Sequence, residues 1–140
     1  MIEQSFLAVG DATVYAAFHD AGLPPRAGVL MCPPLMEERK AAGRVYVELA
    51  EALRERHICS FRFDYRGSGD SGGLQEHMTL QSCLDDITAV SAELRRRAAA
   101  PLYLLGLRLG GTLAALASGQ LAGLSGLVLW QPVVSGEAFF

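Results

Sequence analysis

The chain has 140 residues, 51% of them hydrophobic and 19% charged, with a net charge of -3. That length carries one domain with its own core, and a mean hydropathy of +0.24 is high for a domain of this size. Its densest basic run is Arg95-Arg96-Arg97, which argues against nucleic-acid binding, and no apolar run approaches the roughly 18 to 20 residues that span a bilayer.

The elements follow in chain order. Ser5–Val9 and Ala12–His19 alternate apolar and polar residues around Gly10-Asp11, which predicts an antiparallel hairpin. After the turn-forming AGLPPRA, the run Gly28–Cys32 predicts a strand buried on both faces, ended by Pro33 and Pro34 because neither can donate to a ladder. Glu37–Arg56 places Ala41, Val45, Leu49 and Leu53 at helical spacing. A strand over His57–Phe63 leads into the glycine-rich DYRGSGDSGG, which is a loop. Thr79 is the expected N-cap of a second helix with the stripe Leu80, Leu84, Ile87, Val90 and Leu94. Asp85 and Asp86 near its start and Arg95–Arg97 near its end are read as complements to the helix dipole. Strand PLYLLG, a helix from Leu109 to Ser118, and a last strand from Gly126 to Trp130 complete the pattern. The expectation is a single α/β domain: a mostly parallel sheet with an N-terminal antiparallel hairpin and helices on both faces.

Cys32, Cys59 and Cys83 lie inside apolar segments without metal-ligand spacing, so they read as buried thiols in a reducing cytoplasm. The start MIEQSFLAVGD lacks a basic stretch followed by a long apolar one, so no signal peptide is expected. Nothing in the spacing calls for a metal or a cofactor. Lys40 is the single lysine among twelve lysines and arginines, a bias that reads as genomic composition.

Three segments fall at the carboxyl ends of neighbouring strands, where open α/β sheets place ligands: CPPLMEER, DYRGSGDSGG and GLRLGG. Taken in this order they resemble the α/β-hydrolase superfamily. FDYRGSGDS is similar to the family's signature after its fourth strand, and GLRLGG occupies the place of the nucleophile elbow, usually G-x-S-x-G-G. CPPLMEERKAAGR, GLRLGG and LWQPVVSGE are similar to the hydrolase-like proteins of bacterial exosortase systems, the second type in particular. That resemblance implies a truncated α/β-hydrolase fold ending after the sixth strand and a setting in protein export linked to exopolysaccharide production.

A serine hydrolase of this fold needs a nucleophile, an acid and a histidine in that chain order. Arg108 stands at the nucleophile's place, and a guanidinium has no lone pair to attack with. His19, His57 and His77 all precede it. The ending GEAFF reads as a fragment boundary, and Glu137, where some relatives carry the acid, has no histidine to orient. Ser68 and Ser71 read as turn serines, His77 as a loop residue and Cys32 as a packed thiol.

Arg108 therefore leaves two readings open. Either it converts the former reaction centre into a receptor for a carboxylate or phosphate, or it pairs with Glu37, Glu38 or Asp64 and holds loops together. The backbone N–H groups of Leu109 and Leu35 would be oxyanion-hole-like donors, since Pro33 and Pro34 have none. Glu37, Glu38, Asp64 and Arg66 are cleft-lining candidates. The expected functions are a non-catalytic anion-binding or scaffold module taking a small anion or acyl compound or, in a longer protein, a hydrolase of an ester, thioester or amide with a non-serine nucleophile. The apolar last strand is expected to form an exposed edge that could recruit a second copy.

Overall fold

The computed structural model describes residues 2–22 and 24–134. Six strands form one sheet in the order β1-β2-β4-β3-β5-β6: β1 Ile2–Val9, β2 Ala12–His19, β3 Ala27–Cys32, β4 Ile58–Phe63, β5 Leu102–Leu107 and β6 Leu124–Trp130. β3 pairs parallel with β4 and β5, and β5 parallel with β6. The hairpin β1–β2 is antiparallel in register from Ile2–His19 to Val9–Ala12, and β2 lies antiparallel on β4. The expected mixed sheet is the one observed.

Period-two alternation sorts the strand residues between two helical layers. Val29, Met31 and Leu105 face helix α1, Glu37–Glu55. Leu30, Cys32, Phe61 and Leu104 face α2, Leu80–Arg97, and α3, Leu109–Ser118. Helices therefore cover both faces. Thr79 caps α2 by accepting from the Ser82 amide, and the Ser82 hydroxyl accepts from the Thr79 amide in return.

Several details differ from expectation. The buried line of α1 is Ala42, Tyr46 and Ala50, one residue round from the predicted stripe, and Ala41 is exposed. Small alanines let the helix sit close to the sheet, which leucine-weighted periodicity does not register. Leu80 is exposed rather than buried. Asp86 is no dipole complement: it is fully buried and bound to Arg66.

β6 ends the sheet, and Leu127, Val128, Leu129 and Trp130 along it are exposed. Among the described residues no helix is long and apolar enough to cross a membrane.

Candidate functional site

β5 turns into α3 through Arg108, whose φ of 56° and ψ of -125° lie where glycine is at home. The bend is this tight because backbone presses on backbone. A Cβ at Gly106 would sit 2.4 Å from the Gly110 carbonyl carbon, and one at Gly110 would sit 2.3 Å from the Cys32 carbonyl oxygen. No side chain fits at either position. The Arg108 amide donates to the Trp130 carbonyl at 2.9 Å, fixing the apex against the end of β6. At the end of β3, Met36 (φ 62°, ψ -137°) makes a matching bend into α1.

Tyr46 locks the two strand ends together. Its hydroxyl donates to the Cys32 carbonyl at 2.7 Å and accepts from the Leu107 amide at 2.9 Å. Sequence reasoning missed this residue. The available signal was a lone tyrosine one position off a helix stripe, whose polar tip needs partners when buried.

Beside the bend lies a cleft of about 620 Å³, in the range of small-molecule sites. Leu35, Met36, Leu109 and Leu113 line one side, and Gln75, Met78, Thr79, Leu80 and Cys83 another. Gly67, Ser68 and Gly69 form part of its wall, with Arg39 and Lys40 as its charged lining. Leu35 and Leu109, the proposed oxyanion-hole-like donors, thus share one cavity. Among the described residues their amides donate to no protein acceptor.

Arg108 itself does not line this cavity. Its Nε donates to Glu38 Oε2 at 2.9 Å and an Nη donates to the Gln131 carbonyl at 3.2 Å. The pair is half-buried, at 36% exposure for Arg108 and 33% for Glu38. Of the three carboxylates named as partners in the sequence, the structure brings Glu38 to Arg108. Asp64 is occupied elsewhere, accepting from Arg39 at 3.4 Å and from the Asp70 amide at 3.0 Å. The Glu37 side chain and Glu137 lie outside what the structure describes.

Arg66, expected at the cleft, is instead turned toward Asp86. Its amide and Nε donate to the two carboxylate oxygens at 2.8 and 2.6 Å, and its remaining nitrogens reach the Val9 and Ser82 carbonyls. Arg66 borders a second cavity of about 500 Å³ with Asp11, Thr13 and His77. Ser71 is a turn serine: its hydroxyl accepts from the Tyr15 amide at 2.8 Å and donates to the Asp64 carbonyl. Burial holds the Cys32 thiol far above its ordinary pKa and pushes Cys83 up to about 11, so both stay protonated at neutral pH.

Residues 24–139 match the model of the serine aminopeptidase, S33, family. The chain belongs to that family. No curated protein matches the sequence significantly. Among solved structures, a proline iminopeptidase from Mycobacterium smegmatis superposes with a TM-score of 0.76 at 20% identity, over 98% of this chain and 46% of that one. An alpha-beta serine hydrolase homologue from Coxiella burnetii gives 0.73 at 20%, over 98% and 66%. Alpha/beta hydrolase domain-containing protein 10 from mouse gives 0.71 at 23%, over 91% and 48%. These likenesses establish the fold, that of the α/β hydrolases. The chain spans 46% to 66% of those three relatives' lengths.

Proposed function

We propose that this chain is a binding module on a hydrolase fold, one that forms no acyl-enzyme at its elbow. The carrying observation is Arg108 at the apex of the β5–α3 bend with its guanidinium on Glu38. A guanidinium has no lone pair with which to attack an acyl carbon. Its pairing with Glu38 supports a clasp between the bend, α1 and Gln131 rather than an open anion receptor at the guanidinium itself. A carbonyl oxygen of the ligand is received instead by the Leu35 and Leu109 amides, which share the cleft. Free, buried cysteines fit a reducing cytoplasm. The motif resemblance stated above supports a setting beside an exosortase and exopolysaccharide export system, and the exposed edge of β6 fits self-association.

The test is labelling with a fluorophosphonate probe together with p-nitrophenyl ester turnover, on the wild type and on Arg108→Ser. For the 140-residue chain, neither protein is expected to be labelled at position 108 or to turn over the ester, because its histidines, His19, His57 and His77, all precede that position. Ester turnover by the wild-type chain overturns the reading, whereas labelling of the serine variant alone means only that the machinery around position 108 is intact. A second reading is favoured by the family match itself: a longer protein hydrolyses an ester, thioester or amide with a nucleophile other than residue 108. Its signature is ester turnover that survives Arg108→Ala.

A further inference from the structure

We propose that the cleft takes an amphiphilic anion, an acyl or aryl body ending in a carboxylate or phosphate, with the anionic head held by Arg39 and Lys40. The inference rests on the binding-module reading and names the ligand class for that site. Among the described residues, the charged ones lining the cleft are both cations, in a chain whose net charge is -3. Positive charge lining a cavity of an acidic protein attracts anions there, with Asp64 offsetting part of the Arg39 charge.

The Arg39 guanidinium is also held in place. Asp64 accepts one Nη at 3.4 Å from beneath the glycine loop. Gly69, at φ +53°, leaves no room over this pair: a Cβ there would lie 2.2 Å from Asp64 Oδ2 and 3.0 Å from Arg39 Nη1. Gly69 is itself cleft wall, so loop, carboxylate and guanidinium form one packed unit at the cavity's edge. Lys40, next along α1, is exposed and adds a second charge on a flexible stem. Facing them, Leu35, Met78, Leu80, Leu109 and Leu113 provide an apolar surface that an inorganic anion would leave unused. Two methionines with such leucines adapt to chains of differing shape.

The experiment titrates the full chain by calorimetry with octanoate, octyl phosphate, octanamide and inorganic phosphate, at low and high salt. The variants are Lys40→Gln and Leu80→Gln, both at exposed positions where folding is safe. The expected result is that octanoate or octyl phosphate binds roughly tenfold tighter than octanamide. That preference shrinks in Lys40→Gln and at high salt, while Leu80→Gln weakens all three alkyl ligands alike. Whichever anion binds tighter names the head group. The proposal is overturned if octanamide binds as tightly as the anions, if inorganic phosphate binds as well as octyl phosphate, or if none of the alkyl ligands binds. Equal binding of octanamide and octanoate removes the anion preference yet leaves the binding module standing, whereas p-nitrophenyl ester turnover that survives Arg108→Ala strikes the module itself.

Discussion

Arg66 meets Asp86 at 2.6 Å and Arg108 meets Glu38 at 2.9 Å, each just past the carboxyl end of a strand in the same sheet. Their surroundings differ. Asp86 has no exposure and Arg66 little, and Arg66 spends every nitrogen on the protein, tying the glycine loop to α2 and to the end of β1. Arg108 and Glu38 are each about one-third exposed. Water screens the second pair and is excluded from the first, so similar lengths carry different energies. The buried pair is part of the scaffold, and the half-exposed one is adjustable.

Breaking the buried pair should have the largest effect. Asp86→Ala leaves the largely buried Arg66 guanidinium without its carboxylate, and the expected loss is about 3 kcal/mol of unfolding free energy. Burial already pushes the Asp86 carboxyl up, against the pull of its Arg66 contacts. A neutral amide that keeps the shape, Asp86→Asn, should therefore cost less than Asp86→Ala. Urea unfolding of both variants checks the order. A loss below about 1 kcal/mol for Asp86→Ala would put this pair in the same class as Arg108–Glu38.

A third arginine sharpens the contrast, because its partner is neutral. Arg62 Nε donates to His19 Nε2 at 2.8 Å, so that nitrogen must carry no proton. His19 is fully buried, and among the described residues its Nδ1 has no partner. Burial first, then the Arg62 charge, lower its pKa from 6.5 to about 4, with Glu51 pulling the other way and Arg54 adding a smaller push down. The unfolded chain therefore binds a proton below pH 6.5 that the fold refuses. Stability is intact above that pH and falls as the pH drops toward 4, by at most about 3.5 kcal/mol at roughly 1.4 kcal/mol per unit. His19→Gln, which keeps an acceptor for Arg62 but does not titrate, should flatten that slope. An unchanged slope would assign acid sensitivity to the carboxylates instead.

These three arginines also mark what was legible beforehand. The bend at Arg108 follows from local spacing: glycines at 106, 110 and 111 admit one strand–turn–helix geometry, and α3 begins and ends where expected. Thr79 capped α2 for a similarly local reason. The long-range partners were not legible. Asp86 looked like any acid in an early helix turn, because nothing in its neighbours announces that the glycine loop folds over it. His19 gave no sign of its burial, since it depends on β2 crossing to lie on β4 rather than staying beside β1 alone. Arg97, read as a dipole complement, stacks over Phe18 and Phe61 and pairs with Glu3, contacts that exist only once three strands and α2 are assembled. In the cleft, Leu35 and Leu109 were named from the sequence, while Arg39 and Lys40 were not, since their direction depends on how α1 is rotated on the sheet.

The smallest expected effects lie at the elbow, and their order carries the information. Glu38→Gln removes a screened, half-exposed ion pair and should cost under about 1 kcal/mol. Arg108→Ala loses the same pair together with the donation to the Gln131 carbonyl and keeps the left-handed backbone, so it should fall somewhat further. Arg108→Gly loses the pair but releases strain of about 1–3 kcal/mol at φ 56°, offset by roughly 1 kcal/mol of added chain entropy in the unfolded state. Glycine should therefore equal or exceed alanine at this position, although both lack the guanidinium. If the pair were as strong as Arg66–Asp86, both variants would drop together by several kcal/mol, and the separation between scaffold and clasp would collapse. Thermal unfolding of the three variants decides it, because a gap of about 1 kcal/mol is a shift of several degrees in a domain of this size.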